Sequence, residues 1–422
     1  MKKIRLFYKN KVLMKKIGWT VLILFVFRLG NNIFISSIDP SIIGGLSNGL
    51  ELYNLMTAAD LTTFSIFSLG LSGFITASII IELLANDVIP AIAKLKKEND
   101  TKKINSISNT LGVVLSIIQA LGITLMLDNT YGILKDNNIY SYIYTVVLLV
   151  TGSCTLLWLS KQIDNKGIGN GSSVIIAGGI LYKLPALMCN AFDTVVTYKD
   201  YTTFILFGLL MITFFSVLFF VVLIEKSERK IPIQFSSGMK DVRYKSQDYL
   251  PIKVNVSGVI PVIFASSLLQ IPTIFCTLLN KRPDWLNYIS LTSVSGIIIY
   301  SVLIILFLYY YSHIIINPKD VNKQLQKSGA NIAGVRLGKD TESFINRVLN
   351  RVNVYGATAI VIIALIPVVL PMLWETASIS NLTIGGTSLI IVTGVGLEIA
   401  KSIKTETSRK DYRKESMFWK NK

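Results

Sequence analysis

Histidine is almost missing from this chain, with His313 the only one among 422 residues. The three cysteines (Cys154, Cys189, Cys276) have no metal-ligand spacing, and no carboxylate cluster joins them. That leaves no constellation for metal binding or for nucleophilic or acid–base catalysis, so neither a catalytic residue nor a cofactor is expected. The cysteines lie in or beside apolar runs and read as small apolar residues. His313 lies towards one end of such a run and reads as a packed or interfacial side chain. Nucleotide loops are missing too. KGIGNG at 166–171 follows no strand and lacks the G-x-G-x-x-G spacing. The stretch 334–339 falls one residue short of a P-loop, with Asp340 where Ser or Thr would stand. Charge is scarce: 16% of residues carry it, against about 25% in a soluble domain.

Long apolar runs take the place of that charge, and mean hydropathy is +0.55. Ten blocks stand out, at 17–35, 65–84, 107–127, 142–159, 172–188, 204–224, 256–279, 294–316, 354–370 and 384–399. About 20 such residues cross a hydrocarbon core of roughly 30 Å as a helix. The blocks are apolar all round, whereas a soluble helix alternates faces. The first is too long for a signal-peptide core and no small-x-small site follows it, so it reads as a retained signal anchor. The expected class is therefore all-α, a polytopic membrane protein of ten helices. The formal charge of +17 is distributed by topology. With the N-terminus in the cytoplasm, the inner segments hold 36 Lys and Arg and the outer ones 5, with Arg28 left inside a span. That bias places both termini inside. Two long inner segments, about 225–255 and 317–353, are rich in charge and punctuated by Gly and Pro. Segments of that size suit partner docking, and a basic face can hold anionic lipid, ribosomal RNA or an acidic partner.

Three features fall inside or beside the spans. Arg28 sits within the first block, where a charge costs about 2.5–3.5 kcal/mol unless it faces protein or a wet cavity. Glu82 follows TASIII (76–81) near the inner end of the second block and either snorkels or lines a polar path. Between these blocks, 31–63 is too polar to span, yet Leu52, Leu55, Met56 and Ala59 repeat at helical spacing. A short amphipathic helix there would lie on the membrane surface or plug a pore.

The polar motifs between the blocks resemble the SecY family, the pore subunits of the bacterial Sec translocase. The resemblance rests on FRLG (27–30), FSIFSLG (64–70) with TASIII, KGIGNGSSVII (166–176), PIKVNVSGVIPVIFASSLL (251–269), NPKDVNKQLQKSGANIAGVRLGKDT (317–341), RVLNRVNVYGA (347–357) and GGTSLII (385–391). It implies two pseudo-symmetric five-helix halves, 17–188 and 203–400, around an hourglass pore. An outer hinge at 189–202 would join them, flanked by cytoplasmic ends at 1–16 and 401–422. By motif position the pore ring would be Leu71, Ile75, Ser172, Ile176, Ile263 and Ile391. The plug would lie at about 48–63 with Leu52, Leu55, Met56 and Ala59. The lateral gate would run between the second and third spans and the seventh and eighth, with Thr76, Glu82 and Asn255 at its polar positions. Arg229, Lys230, Arg336 and Lys339 would dock a motor or ribosome. Implied partners are SecE, SecG, the SecA ATPase, the ribosome, signal peptides and unfolded preproteins, besides anionic lipids, in the bacterial plasma membrane. The sequence departs from the family pattern at Ser172, Leu337, Ser237, Gly238 and Glu82. Those departures leave an accessory channel for selected surface proteins open beside a housekeeping one. A secondary transporter would need convergent polar groups at mid-depth, where the expected waist is apolar.

Overall fold

A computed structural model describes residues 11–38, 64–84, 100–136, 138–198, 201–235, 249–278, 283, 285–289, 293–373 and 391–406. The chain is a bundle of helices with a small sheet at one end. In order they are α1 (Lys11–Gly30), α2 (Ser72–Leu84), α3 (Thr101–Tyr131), α4 (Ile139–Lys166), α5 (Gly171–Tyr198) and α6 (Tyr201–Lys226), then β1 (Glu228–Phe235), β2 (Tyr249–Lys253), α7 (Ile260–Leu278), α8 (Trp285–Ile289), α9 (Val294–Ile315), α10 (Pro318–Lys327), β3 (Ala330–Ile332) and α11 (Lys339–Leu373). A last helix, α12, covers 391–406. Each of the ten apolar blocks carries one of these helices over part or all of its described length. Among the described residues, five helical stretches are long and apolar enough to cross a membrane: Lys102–Asp128, Ile139–Lys166, Phe207–Lys226, Val294–Lys327 and Lys339–Ile366. The protein is a multi-pass membrane protein.

Helix ends and block ends differ because hydropathy marks contact with hydrocarbon, whereas helices stop at caps. Helix α3 starts at Thr101, where the Asp100 side chain accepts from the Lys103 backbone N–H. Hydrogen bonds from Lys103 hold the Asp100 carboxyl below the usual carboxylate range. Helix α1 stops at Gly30, so Arg28 falls in its last turn rather than mid-span, where a cation suits the helix dipole. Its guanidinium lies 3.2 Å over the ring of Tyr182 on α5. The outer hinge expected at 189–202 is helical up to Tyr198 and again from Tyr201. After Pro185 no Gly or Pro interrupts the chain until that point, so the helix continues past the apolar block.

The second block is helical only from Ser72. Its first part, residues 64–71, is turn and bridge, with Ile35 N–H donating to Phe64 O and Ile66 N–H to Ile33 O. Phe64, Ser65, Ser68 and Leu69 are buried, and non-helical backbone at membrane depth survives only inside protein. Gly152 on α4 makes room for it. A β-carbon there would sit 1.9 Å from the Ile66 carbonyl oxygen. Gly152→Ala is therefore expected to cost about 3 kcal/mol, because backbone cannot step aside as a side chain would. The check is a lowered thermal midpoint of the purified protein, and an unchanged midpoint would overturn this account of the packing.

The two inner segments build more than loops. β1 pairs antiparallel with β2, Glu228 opposite Lys253 and Pro232 opposite Tyr249, and with β3, Ile233 opposite Ile332. The period-two run Ile231, Ile233, Phe235 suits a strand with one buried face. Ile231, Ile252, Leu325, Ile332, Ile345 and Leu349 close a separate core under this sheet. Here α10 is capped by Asn317, whose side chain accepts from Lys319 N–H, and has Pro318 in its first turn. Asn322 on α10 donates to Glu342 on α11 at 3.1 Å.

Candidate functional site

The first half of the bundle gathers around α4 and α5, and α1 packs against both. The turn 167–170 between α4 and α5 is where KGIGNG falls. Its first use is structural: Gly171 N–H donates to Asp164 at 2.7 Å, and Ile168 N–H donates to the Thr20 hydroxyl of α1 at 3.0 Å. A β-carbon on Gly171 would meet the Ser160 carbonyl oxygen at 2.0 Å, so glycine is what lets α5 begin so close to α4. That close start sets the depth at which the next turn of α5 presents Ile176.

Ile176 enters an apolar cluster with Leu71 and Ile391, which are likewise buried, and Ile75 and Ile263 pack against it from the side. Five of the six ring positions expected from sequence belong to this cluster or pack against it, from 71–75, α5, α7 and α12. Ser172, the sixth, turns its hydroxyl to Ser160 on α4 at 2.9 Å. The polar group is satisfied by a neighbouring helix and need not face the cluster. Ile75 and Val259 also touch the core of the second half, built by Val262 and Phe264 of α7, Tyr300 and Ile304 of α9 and Ile360 and Ile363 of α11.

The second half therefore meets the first along a seam where α7 packs on α2 and α3. Ile79 of α2 is buried in the core of the second half. Beneath it the Tyr311 hydroxyl of α9 donates to Glu82 of α2 at 3.2 Å, and Tyr311 stacks edge-on against Phe264 at 4.7 Å. Sequence reasoning missed Tyr311. A carboxylate in an apolar span needs a donor, and the run Tyr309–Tyr311 was the available signal. Thr76 is buried and donates to Ser72 O at 2.9 Å, while Ser72 donates to Gln119 of α3 at 2.9 Å. Asn255 does not join Glu82. Its amide donates to Glu225 at the end of α6 and to Gly258 O at 3.0 Å. The three gate positions read from sequence thus sit in three separate contacts: Thr76 with Ser72, Glu82 with Tyr311, and Asn255 with Glu225 and Gly258.

At the end of the bundle that carries the sheet, the expected docking residues are exposed. Arg229 and Lys230 lie on β1, with Lys230 4.8 Å over the Tyr249 ring and 3.8 Å from Glu228. Arg336 and Lys339 flank the loop into α11. Gly334 (φ 78°) and Gly338 (φ 109°) bracket Arg336, and the Thr341 hydroxyl donates to the Arg336 carbonyl at 2.7 Å. The loop is thus held by its backbone, and the Arg336 side chain is exposed. His313 is packed at this end, against Tyr309 O and Asn346. All three cysteines are free. The expected plug residues Leu52, Leu55, Met56 and Ala59 lie outside the described residues.

A family model described as SecY matches residues 65–400. The protein translocase subunit SecY of Streptococcus sanguinis is 33% identical over 422 residues, 96% of each chain. Among solved structures, the chain is similar to a SecY protein whose plug domain stabilises the closed state of the translocation channel and maintains a membrane seal. The TM-score is 0.70 at 18% identity, over 93% of this chain and 92% of that one. It is also similar to Sec61 in the canine ribosome–channel complex from the endoplasmic reticulum, with TM-score 0.63 at 17% identity and the same coverage.

Proposed function

Since this chain belongs to the SecY family, we propose that it is the protein-conducting subunit of a Sec translocase in the bacterial plasma membrane. Unfolded preproteins would pass outward through its waist, and hydrophobic segments would leave sideways into lipid. The observation that carries the reading is the apolar cluster of Leu71, Ile75, Ile176, Ile263 and Ile391 at the junction of the two halves. A narrow apolar constriction dewets and so holds back ions without a covalent barrier. Flexible Ile and Leu side chains, with no directional bonds among them, can part around an extended chain and close again. The halves would divide at 189–202 and hinge there, with 48–63 as the plug on the outer side.

The seam between α2 with α3 and α7 with α9 is the exit we assign to hydrophobic segments. It is held by apolar packing and by the hydrogen bond from Tyr311 to Glu82. A segment of about 20 apolar residues gains more from lipid than such a seam loses by parting. The exposed cations Arg229, Lys230, Arg336 and Lys339 would receive the SecA motor or the ribosome, and SecE and SecG would complete the assembly. Both chain ends would lie in the cytoplasm, as the bias of basic residues requires.

The test is capture of a substrate in transit. Ile263→Cys in an otherwise cysteine-free channel is expected to crosslink a stalled secretory chain carrying a single cysteine. Crosslinking equal to that of a lipid-facing control, Phe219→Cys, would sink the assignment of the waist.

A further inference from the structure

Helices α1 and α12 both extend past their apolar blocks. Residues 11–16 of α1 precede the block that begins at 17, and residues 400–406 of α12 follow the block that ends at 399. The two extensions meet. Lys16 Nζ donates to a Glu406 carboxylate oxygen at 2.6 Å, across 390 positions of sequence. We propose that this ion pair is a clasp that positions α12, and through it Ile391 in the waist. The inference rests on the reading of the waist given above and adds two positioning residues to it.

The pair stands at the end of a packed seam. Ile391, Val395 and Ile399 recur every four residues of α12, so they share one face, and Glu406 lies two turns beyond Ile399 on that face. Ile391 and Val395 are buried in the cluster with Ile23 and Phe27 of α1 and Val174 of α5, and Ile399 packs against it. On α1, Lys16, Thr20, Ile23 and Phe27 recur at spacings of four, three and four, which is again one face. Each helix thus carries its charge on the side where it buries its apolar residues. The two charged side chains are 32% and 31% exposed, so water and salt screen them less than a fully exposed pair.

Helix α1 supplies a fixed anchor. Its Thr20 hydroxyl accepts from Ile168 N–H of the α4–α5 turn at 3.0 Å, and Lys166 lies 5.1 Å over the Trp19 ring. Helix α12 is wedged between the halves. A β-carbon on Gly394 would meet Val259 at 2.6 Å, and one on Gly169 would meet Ile399 at 3.2 Å. Apolar contact resists separation more than sliding, because it has no directional bonds. A charge-assisted hydrogen bond fixes direction as well as distance. About 22 Å of helix separates Glu406 from Ile391, so a displacement at the clasp is carried along α12 to the waist. Lys103–Asp100 and Lys230–Glu228, by contrast, join neighbours in sequence and tie no second element.

The experiment takes the full channel complex in its membrane, cysteine-free apart from Val395→Cys, and measures the rate of labelling by a water-soluble maleimide. Val395 is buried, so labelling reports a displaced α12. Lys16→Met keeps the stem and loses the charge, and should speed labelling about threefold, the weight of one partly exposed ion pair. Lys16→Glu sets two carboxylates side by side and should speed it about fivefold, with Glu406→Lys as the second variant should the first not insert. Lys16→Arg should label as wild type, and the exchanged pair, Lys16→Glu with Glu406→Lys, should return most of the way. Wild-type rates in Lys16→Met and in the charge reversals would overturn the proposal. So would an exchanged pair labelled as fast as its faster single variant. Export of a reporter with a crippled signal peptide, followed in parallel, should rise with labelling. Labelling that rises without such export keeps the clasp and removes the cluster as the seal, so the two readings fail separately.

Discussion

Ile176→Asn is expected to let a secretory reporter with a crippled signal peptide cross the membrane about ten times more often than it does through the wild-type channel. The reasoning runs through the closed state. Ile176 is buried in an apolar cluster with Leu71, Ile391 and their neighbours. Burying an unpaired amide costs about 1–3 kcal/mol. That cost falls on the closed cluster and is relieved when water enters the opened pore. A shift of 1.4 kcal/mol towards opening is a factor of about ten. A good signal peptide supplies that energy itself, whereas a defective one needs the channel already loosened. Ile176→Val keeps the surface apolar and should behave as wild type. Export of the crippled reporter at the wild-type level, with Ile176→Asn present in normal amount, would show that the cluster is not the seal.

Arg336→Glu should reduce motor-driven translocation at least tenfold while leaving the fold intact. The side chain is exposed, and only the Arg336 backbone carbonyl is bonded, by Thr341, so charge reversal has little inside the protein to disturb. Across an interface, replacing a charge that meets an acidic partner by its opposite costs about 2–5 kcal/mol, more than one decade in affinity. Arg336→Lys should be intermediate, because an ammonium keeps the charge but loses the fork of donors. The measurement is preprotein protection in vesicles with added motor and ATP, beside direct binding of the motor. Wild-type rates in Arg336→Glu would remove the loop from the docking surface.

Much of this was legible in the sequence, for a physical reason. Spans announce themselves because lipid tolerates no unpaired backbone, and each of the ten apolar runs indeed carries a helix. What hydropathy could not report was the part of each helix outside hydrocarbon: Lys339–Asn353 continues α11 into the platform with charged residues on its surface. The sheet was hidden for a related reason. β1 shows a period-two run in Ile231, Ile233 and Phe235, but its partner β3 is three residues long and arrives from the segment that follows α9. The ring positions were reachable only by resemblance, since Leu71, Ile176, Ile263 and Ile391 look like any other apolar residues until the fold brings them together. Ser172 looked like a flaw among them, and a hydroxyl at that spot is instead spent on Ser160. Tyr311 was missed because a tyrosine in an apolar run reads as bulk, and only its contact with Glu82 reveals the hydroxyl as the useful part.

The length of α11 has a mechanical consequence. Its proline-free stretch Lys339–Ile366 forms one rod about 42 Å long. Ile345 and Leu349 near its start belong to the core under the sheet, and Ile360 and Ile363 further along belong to the core of the second half. No break separates the two regions, so a load applied at the loop beside Arg336 would not be absorbed in a joint. It would tilt the rod as a lever, and the wall beside the seam would swing with it.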